Sequence, residues 1–317
     1  MFCWTEEVTR YDKWIERYRQ PVLIYNPYAG KVRRNPERIL QATTAALSRR
    51  GVAAPRILPT DAAGHATGLA REAVALGADL VLVLGGDGTI NEAANGLIHS
   101  GIPLGILPAG TANVLAVELG LGSRLPLALE RLMDYVPRPI SAGRLIIGLE
   151  KRYFLCMAGA GLDAKIVTKV DPVLKDRTGK LAYWAAGLSQ LPEPLEQVEV
   201  KLQGKTFKCG FVLVSRVRNY GGDLEIASGA SLDRDDFEIV LFEGTNPLRY
   251  AWYMLGVGLR QVQKMPGVRT FRATCAEILS CAHIQIDGEY AGRHRGKIEI
   301  ATGALTLLMP PSRKSPQ

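Results

Sequence analysis

Two domains of different texture are the fold expected of this sequence: an α/β domain carrying a parallel sheet, then a mostly antiparallel, β-sandwich-like domain. Three observations predict it. Between Pro21 and about Ile140, short apolar runs alternate with segments of helical period, as when strands and helices interleave around a sheet covered on both faces. Beyond Ile140 the apolar runs are short and β-rich, and Gly, Asp and Asn turns separate them, which reads as antiparallel pairing. At 317 residues the chain is long for one core and comfortable for two. The expected parts are an accessory helix (1–20), the α/β domain (21–140), the β-rich domain (141–309) and a tail (310–317).

The elements follow in order. Over residues 5–19, Val8, Tyr11, Trp14, Ile15 and Tyr18 recur at helical spacing, as in a helix packed on the domain or, alternatively, one touching a membrane. Val22–Tyr25 reads as a buried strand. Pro36–Arg50 reads as a helix with Ile39, Leu40, Thr43, Ala46 and Leu47 on one face. Strands at Arg56–Leu58, Leu80–Leu84 and Pro103–Leu107 alternate with helices at His65–Leu76 and Thr89–Ile98. In the second domain, strands are expected at Tyr153–Ala158, Val198–Leu202, Phe207–Ser215, Phe237–Phe242, Ile284–Ile286, Ile298–Ile300 and Leu305–Leu308. Helical patches interrupt them at Lys180–Gln190 and Pro247–Gln263, and the boundary is expected near Pro137–Gly143.

Bulk properties narrow the function classes. No run of about 18 apolar residues exists, so a membrane-spanning helix is not expected. The first twenty residues carry Glu6, Glu7, Asp12 and Glu16 and no apolar signal region. Five scattered cysteines without zinc spacing read as reduced, mostly buried thiols of a cytoplasmic protein. A net charge of +8 suits an anionic partner. The interleaved aromatic and basic residues of an RNA-binding sheet are missing, so nucleic acid is not expected.

Chemistry concentrates in turns. Gly85-Gly86-Asp87-Gly88-Thr89 follows a strand and opens a helix, so the backbone can approach a bulky anion and helix amides can face it. Asp87 in the same turn suits a metal or a proton. Further turns follow the other strands: Asn26-Pro27-Tyr28-Ala29-Gly30-Lys31, Thr60-Asp61-Ala62-Ala63-Gly64 and Pro108-Ala109-Gly110-Thr111-Ala112-Asn113. Four such loops at one sheet edge point to a nucleotide. His65 reads as a helix-start residue bonding the backbone rather than a catalyst. In the second domain, Asp287-Gly288-Glu289 forms an acidic turn able to accept a proton from an alcohol. Leu232-Asp233-Arg234-Asp235-Asp236-Phe237 is an acidic loop able to bind a metal through side-chain and carbonyl oxygens.

Together these residues resemble the diacylglycerol kinase catalytic-domain family, which includes bacterial lipid kinases, sphingosine kinases and ceramide kinases. The resemblance runs from about Pro21 to Met309. Its markers are Asn26 to Gly30, Gly85 to Glu92 continued by Asn95-Gly96-Leu97, Pro108 to Asn113, Asn219-Tyr220-Gly221-Gly222 and Asp287 to Glu289. Departures are Asp235-Asp236 where the family usually has Asp-Gly, Ser228 where a Pro commonly stands, and Val114 where many members place Asp.

The resemblance implies an NAD kinase/phosphofructokinase-like nucleotide domain and a lipid-substrate domain. It implies an ATP-dependent lipid kinase using Mg2+, cytoplasmic and peripherally membrane-associated. Oligomeric state is left open, with a homodimer as one option. Asn26, Pro27, Tyr28, Ala29, Gly30, Thr60, Gly85, Gly86, Asp87, Gly88, Thr89, Ile90, Asn91 and Thr111 would hold the nucleotide. Glu289 or Asp287 would accept the proton of the lipid hydroxyl, and sphingosine-kinase-like relatives assign that role to the aspartate matching Asp87. A structural magnesium ion would lie at Leu232, Asp235 and Phe237. Docking on anionic headgroups would use Arg216, Arg218, Arg260, Lys264, Arg269 and Arg272. The competing readings are a soluble-substrate kinase of the NAD kinase or phosphofructokinase type and a non-catalytic lipid- or nucleotide-binding regulator.

Overall fold

A computed structural model describes residues 18–169, 195–221 and 224–311. The expected N-terminal helix up to residue 17 and the helical patch at 180–190 lie outside the described residues. The chain forms two compact units, one running to Ile140 and completed from Gly303 onward, the other Ser141–Thr302.

The first unit is a parallel sheet with helices. Its strands are β1 (Pro21–Tyr25), β2 (Arg56–Pro59), β3 (Leu80–Gly85) and β4 (Leu104–Pro108). Between and after them run α1 (Pro36–Arg49), α2 (His65–Ala75), α3 (Asp87–Leu97), α4 (Val114–Glu118) and α5 (Leu125–Leu132). β1 lies between β2 and β3, and β3 pairs β4, all in parallel. β3 is buried along its whole length, as a central parallel strand must be when helices cover both faces. Pro36 at the start and the Asn35 side chain accepting from Arg38 N (3.1 Å) fix where α1 begins. Gly96 lets α3 lie close on α2: a Cβ there would sit 2.6 Å from Ala70 Cβ and from the Thr67 carbonyl oxygen.

The second unit is mostly antiparallel. It comprises β6 (Glu150–Phe154), β7 (Met157–Gly161), α6 (Leu162–Lys169), β8 (Val198–Leu202), β9 (Lys205–Cys209), β10 (Phe211–Ser215), the short β11 (Asn219–Tyr220) and β12 (Leu224–Glu225), β13 (Phe237–Phe242), α7 (Pro247–Gly258), β14 (Val268–Ala273) and β15 (Cys275–Ile286). Two strands cross the unit boundaries, β5 (Val136–Ile147) and β16 (Glu289–Met309). β14, β13, β10, β7 and β15 pair in that order, each antiparallel to the next. β15 changes partner along its length, from β8 at Glu277–Ile278 to β7 at Ile284–Ile286, with a register shift between. Phe154, Val200, Val212, Phe237, Ile239, Ile278 and Ile284 lie in its core.

Several expected strands are split or extended. The run expected at 153–158 divides at Leu155-Cys156, and that at 207–215 divides at Gly210. The end of β16 returns to the first unit, where Leu307 pairs in parallel with Leu104 and His99 N donates to Ala304 O (2.8 Å). Of the cysteines described, Cys156 and Cys209 are buried, as expected, but Cys281 is exposed. Burial pushes the Cys209 thiol up to about 12. No helix among the described residues is long and apolar enough to cross a membrane.

Candidate active site

In the first unit, the loops singled out in the sequence follow the carboxyl ends of β1, β2, β3 and β4, the edge where open α/β sheets bind ligands. Backbone bonds stitch them together. Asn26 N donates to Leu84 O (3.0 Å), Thr60 N to Tyr25 O (2.9 Å), Ala109 N to Gly85 O (2.9 Å) and Lys31 N to Ala109 O (3.2 Å). The Asn26 side chain spans two loops, accepting from Tyr28 N (2.8 Å) and donating to Thr89 Oγ1 (3.3 Å).

α3 begins at Asp87, two residues before the expected start, with Gly86 as an extended N-cap (φ −90°, ψ −179°). Asp87, Gly88 and Thr89 are therefore its first turn, and Ile90 N donates to Gly86 O (3.1 Å). The amides ahead of that bond have no intrahelical acceptor and carry the positive end of the helix dipole. Gly110 lies directly against this turn, for a Cβ on it would sit 2.6 Å from Gly86 Cα. Asn113 closes the second loop from the left-handed region (φ +48°). Its side chain accepts from Gly110 N (2.9 Å) and donates to Gly110 O (2.7 Å). Two backbones are in contact here with no side chain between them, which is how main-chain amides are bared to an anion.

The remaining candidates in this unit divide by burial. Ala29, Thr60, Thr89, Ile90 and Asn91 are buried, whereas Tyr28, Gly30 and Thr111 are exposed. Pro27, Gly86, Asp87 and Gly88 are half-buried. Asp87 Oδ1 lies 3.4 Å from Leu115 N, which donates to it. Glu92 serves α2, its carboxylate accepting from Ala66 N (3.2 Å). The Lys31 ammonium donates to the Ser123 carbonyl, and burial pulls its pKa down. His65 Nδ1 accepts from Asp61 N (3.0 Å), the structural part expected of it.

In the second unit, Ile286 and Glu289 pair across a two-residue hairpin whose central residues both have positive φ, Asp287 at +47° and Gly288 at +85°. That is the type I′ geometry for which Asp-Gly is suited. The two acids then part company. Asp287 is tied into the backbone: its carboxylate accepts from Leu155 N (2.8 Å), Cys156 N (2.9 Å) and Met157 N (2.8 Å), and its own N–H donates to Met157 O (2.8 Å). Glu289 is half-exposed, with Arg152 Nη2 at 3.7 Å from its Oε2.

A buried polar chain that sequence reasoning missed supports this turn. Gly288 N donates to Gln285 Oε1 (2.8 Å), and Gln285 Nε2 donates to Asp163 Oδ2 (2.7 Å). The Tyr220 hydroxyl donates to the other oxygen of Asp163. Gln285 and Asp163 are each 1% exposed. Gly159 leaves room for the pair, since a Cβ there would lie 2.4 Å from Asp163 Oδ2. Asp163 follows a Gly-rich strand in sequence, a signal that could have drawn notice. Tyr220 also lines a small apolar pocket with Phe211, Phe242, Tyr250, Tyr253 and Met254.

The acidic loop does not match the magnesium site implied for it. Arg216, expected at the surface, is fully buried and reaches into this loop, where its Nη2 donates to Leu232 O (3.1 Å). Asp235 accepts from the Ser141 hydroxyl, and Phe237 lies buried in β13. A donor set with a cation already on one of its carbonyls does not fit a divalent ion. Among the described residues, no group of three or more His, Cys, Asp or Glu side chains could hold a metal.

With this geometry in view, comparisons with known proteins converge. The diacylglycerol kinase catalytic domain family matches residues 20–145. The diacylglycerol kinase of Bacillus subtilis (strain 168) is 30% identical over 300 residues, covering 91% of this chain and 95% of that protein. The diacylglycerol kinase of Staphylococcus epidermidis is 27% identical over 285 residues, covering 86% of each. Among solved structures, a diacylglycerol kinase from Bacillus anthracis str. Sterne shares the fold, with TM-score 0.73, 23% identity and coverage of 93% and 98%. A second structure from that organism gives TM-score 0.78 at 22% identity, covering 93% and 96%. By its match to the Bacillus subtilis enzyme along nearly its whole length, this chain belongs to the diacylglycerol kinase catalytic-domain family.

Proposed function

We propose that this protein is a lipid kinase that transfers the γ-phosphoryl group of ATP to a lipid hydroxyl, with diacylglycerol the first acceptor to test. The observation that carries the reading is the contact of Gly86 with Gly110 at the start of α3. It removes side chains where a triphosphate needs backbone amides. The Asn26–Gly30 loop, Thr60, Gly85–Asn91 and Thr111 are the residues assigned to the nucleotide. ATP supplies the phosphoryl group when bound, with magnesium as its counter-ion. Asp87, at the first position of α3, is assigned to steadying that metal. Glu289 accepts the proton of the acceptor hydroxyl, and Asp287 holds the turn that presents it. In phosphoryl transfer, positioning and electrostatics supply most of the rate.

The lipid acceptor rests on the named activity of the Bacillus subtilis relative and on one surface. Along α7 and its C-cap, Leu248, Trp252, Leu255 and Leu259 are 75%, 56%, 54% and 65% exposed. They recur at helical spacing, so the helix presents an apolar stripe. Residues 244–276 carry Arg249, Arg260, Lys264, Arg269 and Arg272 and no acid. An apolar stripe within a basic stretch suits an anionic bilayer surface.

The test is transfer of labelled phosphate from γ-labelled ATP into a panel presented in mixed micelles. The panel holds diacylglycerol, phosphatidylglycerol, ceramide and a sphingoid base, with NAD and fructose 6-phosphate as soluble acceptors. Label in a lipid product of the expected mass supports the reading. Label only in a soluble acceptor, or in none, overturns it.

A further inference from the structure

We infer that the guanidinium of Arg216 is the resident cation of the loop at residues 231–237, and that this loop takes no divalent metal. Arg216 follows directly on β10 and is 0% exposed. Its two terminal nitrogens donate to four main-chain carbonyls. Nη2 reaches Ser141 O (3.0 Å) and Leu232 O (3.1 Å), and Nη1 reaches Asp236 O (3.1 Å) and the carbonyl of Arg234. Converging main-chain oxygens are what magnesium or calcium would otherwise collect. Here a side chain collects them, and a guanidinium offers enough fixed donors to serve four acceptors at once.

The surrounding charges agree. Burial pulls the Arg216 pKa down, while the carboxylates of Asp235, Asp236 and Asp233 push it up, and a guanidinium stays charged in a protein. Two of these carboxylates are themselves engaged. Asp235 accepts from the Ser141 hydroxyl, and Asp236 Oδ1 accepts from Arg234 Nε (2.9 Å). A divalent ion here would have to break the carbonyl bonds of Arg216 or lie beside its buried charge, and like charges at that range repel strongly. The inference is independent of what the protein phosphorylates.

The experiment is thermal melting of the full, nucleotide-free chain in EDTA and in 10 mM magnesium chloride, repeated with calcium chloride. The wild type is expected to melt at the same temperature, within about 1 °C, in all three. Arg216→Ala leaves the carbonyls without a cation, so its Tm in EDTA should fall by at least about 5 °C. Magnesium or calcium should restore part of that loss. Arg216→Lys should fall between the two, one ammonium reaching fewer carbonyls. A wild-type Tm that rises by more than about 2 °C with either metal overturns the inference, even where Arg216→Ala fails to fold. So does an Arg216→Ala protein as stable as the wild type.

Discussion

Gly110→Ala is the sharpest perturbation of the rim proposed to hold the nucleotide. The added Cβ would lie 2.6 Å from Gly86 Cα, 3.2 Å from Asn113 Oδ1 and 3.5 Å from Gly86 N. Carbon atoms in contact sit at about 3.5–4.0 Å, so the two loops must part by roughly 1 Å. Neither side is a flexible side-chain end. One is the N-cap of α3, and the other is held by both hydrogen bonds of the Asn113 side chain. Overpacking of this kind costs about 1–3 kcal/mol, and a displacement of about 1 Å at a reacting centre costs about 10²-fold in rate. The expected result is a fall of about 10²-fold in kcat/KM for ATP with a modest fall in Tm. Gly86→Ala should be milder, because its Cβ would meet Gly110 Cα at 3.4 Å. Gly68→Ala in α2 is the control: nothing lies within 4 Å of its Cβ, and removing a helix-interior glycine should stabilise by about 0.5–1 kcal/mol. The assays are steady-state transfer of labelled phosphate and thermal melting on the same preparations. A Gly110→Ala enzyme with wild-type kcat/KM would refute the assignment of this contact to the phosphate cradle.

Three further outcomes are expected. Asp287→Ala strands the amides of Leu155, Cys156 and Met157, so it should lose about 2 kcal/mol or more of stability in denaturant titration. Unchanged stability would show that the turn does not depend on that carboxylate. Burial is the main cause of a raised Glu238 pKa. The folded state therefore favours the protonated form, and this contribution is full below the ordinary glutamate pKa and lost as pH rises through the raised value. Glu238→Gln should thus raise Tm at pH 8 and much less at pH 4, while an equal shift at both pH values would contradict that sign. The double variant Trp252→Ser, Leu255→Ser should weaken flotation with anionic liposomes at least about tenfold while leaving Tm in place. Wild-type flotation would remove α7 from membrane docking.

Much of the first unit was legible because its signals are local. Alternating apolar runs set the strands, and Gly85–Thr89 announces its own turn. The departures come from partners distant in sequence. β14 (VRTFRA) and the first half of β16 read as polar because their arginines face solvent. The return of Gly303–Met309 to β4 depends on pairing with a strand some two hundred residues earlier. The difference in surroundings between Asp287 and Glu289 depends on three amides at Leu155–Met157, which no local pattern announces. Arg216 looked like surface charge because the sequence displays its own positive charge but not the carbonyls that surround it. Gln285 sits in an apolar strand, and only its reach to Asp163 explains a buried amide there.

The most direct measurement compares Glu289→Gln with the wild type in single-turnover transfer of labelled phosphate to a lipid hydroxyl, with ATP affinity measured on the same protein. Loss of the proton acceptor should slow transfer by about 10²-fold or more while ATP binding and Tm remain at wild-type values. Transfer at a near-normal rate would deny Glu289 that role, and a loss explained wholly by weaker ATP binding would move its part to the nucleotide.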